Sequence, residues 1–193
     1  MRLDIEPPAT LARYLAEVLE WNSSLSLVSR KDPLGACERL LFESIELGRL
    51  LALETSARIA DVGSGAGFPG AVWALFHPQL ELALIERREK RALFLERATR
   101  TVGATNVTVL TSDLHGVASD PALANRFDLV ASVAVGDPSL IGRDVEQMLA
   151  VSGRFASTVS RETPPPSMIG SALRLEQRHE GEFGCYVVYR RGV

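Results

Sequence analysis

The most constraining feature of this sequence is a glycine-rich segment that joins a short apolar run to a helical stretch. Residues 58–70 read RIADVGSGAGFPG, with Gly63, Gly65 and Gly67 at alternate positions. In an open α/β sheet, ligands bind at the turn after a central strand, and glycines there let the backbone approach a ligand closely. The segment therefore predicts an α/β protein with a small-molecule site at this turn. Gly65, Gly67 and Gly70 also fit the dinucleotide pattern G-x-G-x-x-G. The spacing alone therefore does not decide between a dinucleotide and S-adenosylmethionine as the cofactor.

Short apolar runs alternate with helical stretches from residue 58 onward. The strand candidates are Arg58–Val62, Glu81–Ile85, Val107–Leu110, Phe127–Ser132 and Arg154–Val159. Helical patterns cover about residues 70–77, 88–102 and 138–150. Strands separated by such helices predict right-handed βαβ units and a parallel sheet with helices on both faces.

The two ends of the chain do not show this alternation of strands and helices. Residues 1–55 read as helical and predict a cap in front of the sheet. Ala172–His179 and Gly184–Arg190 flank a polar turn and predict an antiparallel hairpin at a sheet edge. The expected architecture is a single domain, residues 1–193, with a Rossmann-like core over residues 56–193.

Composition excludes several classes of protein. The 193 residues are 46% hydrophobic and 23% charged, which is the mixture of a globular protein with a core of its own. Two cysteines and three scattered histidines do not form a metal-ligand pattern, so no metal is expected. No apolar run approaches the roughly 20 residues that cross a bilayer, and the start of the chain does not resemble a signal peptide. A cytoplasmic protein that does not bind membranes is expected.

Two acidic residues at strand ends help to choose between the cofactors. Asp61 comes shortly before Gly63, and its carboxylate is expected to face the ligand. A dinucleotide would bring a pyrophosphate near it, and like unit charges about 4 Å apart repel by about 4 kcal/mol at an effective dielectric constant near 20. S-adenosylmethionine carries no phosphate, and its cationic amino group and sulfonium would be attracted. Glu86, after the second strand, is placed to accept hydrogen bonds from ribose hydroxyls of either cofactor. Together they favour a methyltransferase over a nicotinamide oxidoreductase.

The ends of the third and fourth strands add candidate contacts. Asp113 could accept a hydrogen bond from an adenine amino group while Leu114 packs on the ring. Capping of the following loop is the alternative role for Asp113. The residues around Val133, where the acceptor usually meets the methyl donor in such folds, are small and apolar and supply no evident base.

Several blocks of the chain resemble the bacterial small-subunit ribosomal RNA guanine-N7 methyltransferases, the RsmG or GidB family. The resemblance runs from about residue 17 to 160 and is carried by Trp21-Asn22, by the segment from Asp61 with its Phe-Pro-Gly ending, and by Ile85-Glu86. It implies a class I methyltransferase fold that transfers a methyl group from S-adenosylmethionine to ring nitrogen 7 of a guanine, with ribosomal RNA or the small subunit as partner.

The resemblance also implies a set of cofactor contacts. Carried over by position, these are Gly63, Phe68, Leu114, His115 and Val133. The residues themselves add Asp61, Gly65, Gly67, Glu86 and Asp113. Ring nitrogen 7 of guanine has a free lone pair, so the reaction needs alignment rather than proton removal, and no catalytic residue is assigned.

The chain departs from this family at several polar positions. Leu40 stands where the family usually has a histidine, Asp113 and His115 where it has an arginine and a glutamate, and Val133 where it has an arginine. These replacements leave open a second hypothesis: a member that binds S-adenosylmethionine without catalysis, as a sensor or assembly factor. The net charge of −3 argues against bulk attraction to nucleic acid. Residues 84–100 nevertheless carry 6 basic and 3 acidic side chains, as either a phosphate-contacting patch or a solvated helix face.

Overall fold

The computed structural model describes residues 8–53, 56–133 and 136–192. The helices are α1 (Ala9–Leu25), α2 (Pro33–Leu50), α3 (Gly70–Phe76), α4 (Glu89–Thr101), α5 (Leu114–Ala118) and α6 (Gly142–Met148). The strands are β1 (Arg58–Val62), β2 (Glu81–Ile85), β3 (Val107–Leu110), β4 (Phe127–Ser132), β5 (Leu149–Thr158), β6 (Met168–Ile169), β7 (Leu173–Glu180) and β8 (Cys185–Arg191). A 3₁₀ turn, Pro138–Leu140, precedes α6.

One sheet joins these strands in the order β3-β2-β1-β4-β5-β8-β7-β6. Strands β1 to β5 are parallel, and β8 lies antiparallel between β5 and β7. The expected Rossmann-like fold with a C-terminal antiparallel hairpin is confirmed, and β1 to β4 have the predicted bounds. The chain runs outward from β1 to β3 and then returns to β4 on the other side of β1. The topological switch point of the sheet, where such folds bind ligands, therefore lies beside β1.

Two predicted elements differ from the structure. The single helix predicted over 138–150 is a 3₁₀ turn followed by α6, and β5 begins at Leu149 instead of Arg154. The Asp137 side chain accepts a hydrogen bond from a backbone N–H two residues on, which starts the tight turn. Ser152 has a positive φ of 64°, and the register of β5 against β4 shifts in the same region. Such an irregular strand start leaves no alternating pattern in the sequence.

The short helix α5 and the short strand β6 were not predicted. Helix α5 has five residues, too few to show a helical periodicity. It begins because the Asp113 carboxylate accepts a hydrogen bond of 2.8 Å from the Gly116 N–H. The alternative role considered for Asp113, a cap, is therefore present.

The predicted cap consists of α1 and α2; its residues 1–7 and 54–55 lie outside the described ranges. Helix α1 buries Leu11, Tyr14 and Val18, which pack with side chains of α4 in one apolar cluster. The Tyr14 hydroxyl donates a hydrogen bond of 2.9 Å to the Ala66 carbonyl in the turn after β1. Burial, and then the nearby Asp61, raise the pKa of Tyr14, so this hydroxyl stays protonated and remains a donor.

Helix α2 is bound to the C-terminal hairpin through Glu46. Its Oε1 accepts from the Glu182 N–H at 2.7 Å, and its Oε2 accepts from the Phe183 N–H at 3.2 Å and from the Tyr186 hydroxyl at 2.7 Å. The rings of Phe42 and Phe183 stack beside these bonds with centroids 5.0 Å apart. The hairpin turn is thus fixed on a helix from the opposite end of the sequence.

Two features are absent from residues 8–53, 56–133 and 136–192. Within those ranges, no helix is long and apolar enough to cross a bilayer. Over the same ranges, no group of three or more His, Cys, Asp or Glu side chains is placed to hold a metal ion.

Contact between α1 and the glycine-rich turn can be tested at Gly67. Its φ is +86°, and an added Cβ would overlap the Tyr14 hydroxyl and come within 2.9 Å of the Ala71 Cβ. Gly103 is a matched control, because its φ is +72° but an added Cβ meets nothing within 4 Å. Gly103→Ala should lower the free energy of unfolding by about 1–2 kcal/mol through backbone strain alone. Gly67→Ala should lower it by about 3 kcal/mol or more, because overlap adds to strain. Urea unfolding followed by circular dichroism measures both losses, and equal losses would contradict the close contact.

Candidate functional site

A cavity of about 580 Å³ opens at the carboxyl ends of β1, β2 and β3. Gly63 follows β1, Glu86 follows β2, and the residues from Ser112 to His115 follow β3; all line this space. Ile141 and Asp144, from the start of α6, close the far side. The volume falls in the range of about 300–1,000 Å³ that is usual for small-molecule sites. This cavity is the candidate cofactor site.

The structure divides the predicted site residues into two groups. Those that line the cavity are Gly63, Glu86, Asp113, Leu114 and His115. Those that are not among its lining residues are Asp61, Gly65, Gly67, Phe68 and Val133.

Glu86 is held at the end of β2 by two backbone donors. Its side chain is 5% exposed; Oε2 accepts a hydrogen bond of 3.0 Å from the Gly65 N–H, and Oε1 accepts one of 2.8 Å from the Arg88 N–H. Each oxygen of an ionised carboxylate has two lone-pair sites, so both oxygens can accept a further bond from a ligand. Glu86 therefore has the position and the acceptor capacity that a ribose diol requires.

The turn after β1 needs glycine for its backbone conformation. Gly63, Gly65 and Gly67 have φ of +74°, +55° and +86°, which other residues adopt only with strain. The Gly63 and Ser64 N–H groups both donate to the Ile85 carbonyl, at 2.9 and 3.1 Å. Gly63 lines the cavity, whereas Gly65 and Gly67 shape the turn that carries it.

The expectation that the Asp61 carboxylate faces the ligand was wrong. Asp61 is 1% exposed, and its Oδ2 accepts a hydrogen bond of 3.0 Å from the N–H of Gly70, the first residue of α3. The carboxylate thus lies beneath the glycine-rich turn, against the start of a helix. The other oxygen, Oδ1, is buried and has no hydrogen-bond partner within the described ranges. Because the Asp61 carboxylate does not face the cavity, its charge gives no reason to exclude a pyrophosphate from the site.

Burial also changes the charge of Asp61. Removal from water raises the pKa of Asp61 to about 7, although the hydrogen bond from the Gly70 N–H acts in the opposite direction. Glu86, the next carboxylate along the edge of the sheet, adds a smaller upward effect. The two carboxylates therefore have different environments. Glu86 faces the cavity, whereas Asp61 is buried and is readily protonated near neutral pH.

Phe68 and Val133 contribute to the apolar core. Phe68 is buried in the cluster that contains Tyr14 and side chains of α4. Val133 is partly buried and packs against the cluster that contains Leu129 and Trp73. Neither is a lining residue of the cavity, and their predicted contact with the cofactor remains a prediction.

Sequence reasoning missed several lining residues. Arg87, Arg88 and Arg91 line the cavity, whereas the sequence suggested for them either a phosphate-contacting patch or a solvated helix face. Arg91 also holds the end of α1, because its Nη2 donates a hydrogen bond of 2.6 Å to the Ser26 carbonyl. Asp144 was missed altogether, since it lies in a helix far along the chain and reaches the cavity only through the packing of α6 beside α5.

Comparison with solved structures defines the class of fold. A SAM-dependent methyltransferase from Aquifex aeolicus is 16% identical, with a TM-score of 0.62 over 93% of this chain and 98% of that one. A mutant of MtNAS in complex with S-adenosylmethionine is 13% identical, with a TM-score of 0.66 over 95% of this chain and 75% of that one. At these identities the likeness shows the fold, which is that of the SAM-dependent methyltransferases.

Comparison of sequences then gives the family. Residues 8–158 match the family GidB, described as rRNA small subunit methyltransferase G. The chain is 32% identical to ribosomal RNA small subunit methyltransferase G of Roseiflexus castenholzii over 155 residues, and 29% identical to that of Xylella fastidiosa (strain M23) over 198 residues. The alignments cover 80% and 99% of this chain, and 66% and 91% of the relatives. The chain therefore belongs to the rRNA small subunit methyltransferase G family. It spans only 56% of the Sorangium cellulosum relative, which is 37% identical to it over 69% of this chain.

The protonation of Asp61 predicts how stability depends on pH. Its ordinary pKa is 3.8 and its folded pKa is about 7, so between these values the folded state holds a proton that the unfolded chain has released. The free energy of unfolding should therefore fall as the pH rises through this window, and level off above it. Asp61→Asn has no such proton, so its stability relative to the wild type should increase from about pH 5 to about pH 8.

Urea unfolding at several pH values measures this difference. Glu38→Gln is the control, because Glu38 is exposed on α2 and its replacement should leave the slope unchanged. Parallel stability curves for the wild type and Asp61→Asn would contradict the buried, protonated state.

Proposed function

We propose that this chain transfers a methyl group from S-adenosylmethionine to ring nitrogen 7 of a guanine in small-subunit ribosomal RNA. One observation carries the proposal: a chain of this family has a cavity of about 580 Å³ at the carboxyl ends of β1, β2 and β3, with Glu86 at its wall. The dinucleotide pattern in the glycine-rich turn would suit an oxidoreductase equally well. Membership of the family, rather than the charge of Asp61, favours the methyl donor.

The residues at the cavity fit this cofactor. Glu86 has lone pairs left for two ribose hydroxyls, and Leu114 offers an apolar surface for a base. Gly63, with its φ of +74°, lets the backbone lie close to the ligand at the end of β1. When bound, S-adenosylmethionine supplies an electrophilic methyl group on a sulfonium. The protein therefore has to hold the cofactor and to align the acceptor with it.

The acceptor chemistry suits this site. Ring nitrogen 7 of guanine exposes a lone pair in the major groove and carries no proton, so no general base is needed for attack. Alignment of the two reacting atoms can supply a large part of the rate enhancement. We assign no catalytic residue, and we expect binding groups to determine turnover.

Basic side chains beside the cavity support an RNA partner. Arg87 and Arg88 follow Glu86 directly, and Lys90 lies in the first turn of α4; all three are exposed. Cations at this place would contact phosphates next to the target nucleotide and make binding depend on salt. Arg91 also has a structural role, because it donates a hydrogen bond to the Ser26 carbonyl at the end of α1.

Binding without catalysis is the second candidate function. Leu40, where a polar residue is usual in the family, packs on the apolar cluster beneath α1, and Val133 packs on the cluster beneath β4. Methyl incorporation into small subunits that lack the modification separates the two candidates. Incorporation supports the enzyme, whereas tight cofactor binding without incorporation supports a sensor or an assembly factor.

Three further expectations belong to this proposal. We propose that residues 1–193 act as one domain, because Tyr14, Arg91 and Glu46 tie the helical cap to the core. The place of action is the cytoplasm, and the partner is ribosomal RNA, either free or in the small subunit.

Cofactor affinity tests the role of Glu86. Glu86→Gln should weaken binding of S-adenosylmethionine by about tenfold to a hundredfold, because charge-assisted hydrogen bonds are worth about 1.5–3 kcal/mol. Glu89→Gln is the matched control, because Glu89 is exposed in the first turn of α4 and does not line the cavity. Isothermal titration calorimetry gives both constants. Equal affinities for the two variants would remove Glu86 from the site, and no binding by the wild type would reject the proposed function.

The salt dependence of RNA binding tests the basic residues. Arg87→Ala/Arg88→Ala should lower the slope of log affinity against log salt by about 1–2, because up to two phosphate contacts are lost. Arg49→Ala/Arg174→Ala removes the same charge from exposed positions on α2 and β7 and should keep the wild-type slope. Filter binding of small-subunit RNA over a range of salt concentrations measures this. Identical slopes for the two double variants would show that Arg87 and Arg88 do not contact phosphates.

A further inference from the structure

Strand β3 forms one edge of the sheet and lacks the features that usually protect such an edge. Within residues 8–53, 56–133 and 136–192, β3 is hydrogen-bonded only to β2. Its sequence, VTVL, contains no charge and no proline, and its register against β2 has no bulge. Native proteins usually block an edge with these devices, because its unpaired backbone groups can bind another strand. The edge of β3 is therefore a candidate interaction surface.

The hydrogen bonds to β2 determine which backbone groups of β3 point outward. The Asn106 and Leu110 carbonyls both accept hydrogen bonds from β2. Because the residues of a strand alternate between its two sides in their hydrogen bonding, Thr108 also faces β2. Val107 and Val109 therefore direct their N–H and C=O groups away from the sheet.

An antiparallel copy of β3 is complementary to these outward groups. When Thr108 lies opposite Thr108 of a second copy, each Val107 lies opposite Val109 of the other copy. Residues in such positions exchange both of their backbone hydrogen bonds. Opposed side chains point to the same face of the sheet, so the valines of the two copies meet on one face and the threonines on the other. The strand can therefore pair with itself about a two-fold axis.

Charges beside the edge favour a second copy over an unrelated strand. A groove of about 380 Å³ on the valine face is lined by Val107 and Val109 of β3 and by Glu96 and Arg100 of α4. Glu96 and Arg100 are exposed, and neither side chain has an ion-pair partner among the residues that the structure describes. They lie one turn apart, so an antiparallel two-fold turns the carboxylate of each copy toward the guanidinium of the other. This surface is thus complementary in charge to itself.

We propose that two copies of this chain associate through β3 into an antiparallel two-fold dimer with one continuous sheet. This inference goes beyond the proposed function, because the β3 edge is not needed for methyl transfer. Each cavity opens at the carboxyl ends of its own strands, and these ends point in opposite directions in the two copies. The dimer therefore keeps the two cavities apart.

Sedimentation velocity of the full chain tests the dimer. The wild type should dimerise with a dissociation constant in the micromolar range, because a short strand pair makes a small interface. Thr108→Lys places like charges opposite each other at the two-fold axis and should weaken the dimer at least about tenfold. Thr163→Lys adds the same charge at an exposed position after β5 and should keep the wild-type constant. A wild type that stays monomeric at submillimolar concentration, or equal constants for the two variants, would overturn the proposal.

Charge reversal on α4 tests whether the contact is between copies. Glu96→Arg and Arg100→Glu should each weaken self-association by about fivefold or more, because like charges then face each other. An equimolar mixture of these two variants should form a heterodimer of about wild-type strength, since every opposed pair again has opposite charges. Glu38→Arg, at an exposed position on α2, should leave self-association unchanged. Absence of any gain on mixing would contradict the two-fold arrangement.

Hydrogen exchange measured by NMR locates the contact on the strand. The N–H groups of Val107 and Val109 should exchange more slowly as the protein concentration rises, because they are hydrogen-bonded only in the dimer. The Thr108 N–H is an internal control, since Thr108 pairs with β2 within each copy. A dimer that forms without slower exchange at the two valines would use another surface and would overturn the proposal.

Discussion

The turn after β1 is held by three side chains from three different elements, and the candidate site depends on this arrangement. Asp61 accepts from the Gly70 N–H below the turn, Glu86 accepts from the Gly65 N–H beside it, and Tyr14 donates to the Ala66 carbonyl from above. Three glycines of the turn have positive φ angles, which other residues adopt only with strain. The three hydrogen bonds hold the turn in one backbone conformation and so give the cavity a defined wall before any ligand binds. The N-terminal helix is thus part of the site without touching the cavity.

The two carboxylates at this turn show how burial divides chemically identical groups. Glu86 reaches the cavity and has acceptor capacity left, whereas Asp61 is surrounded by protein and its pKa rises to about 7. An ionised Asp61 beneath the turn would lack the solvation that its charge requires. Its contribution is therefore to join β1 to the start of α3, and attraction of a cationic ligand is left to groups that face the cavity.

Much of the fold could be predicted from local patterns. Strands β1 to β4 are short apolar runs bounded by polar residues and turns, and the structure gives them the predicted bounds. The start of β5 at Leu149 and the helix α5 could not be predicted in this way, because an irregular register and a side-chain cap leave no periodic signal. Of the predicted site residues, those directly after β2 and β3 do line the cavity, since strand ends in a parallel sheet meet at one edge.

The sequence by itself determined the alternation of strands and helices, the glycines of the turn, and the family to which the chain belongs. The tertiary structure alone decided the direction of each polar side chain: Asp61 inward, Arg91 onto α1, and His115 against Asp144. Hydrophobic periodicity is a property of neighbouring residues and can be read along the chain. The direction of a carboxylate depends instead on donors and apolar surfaces contributed by distant segments, and these come together only in the folded protein.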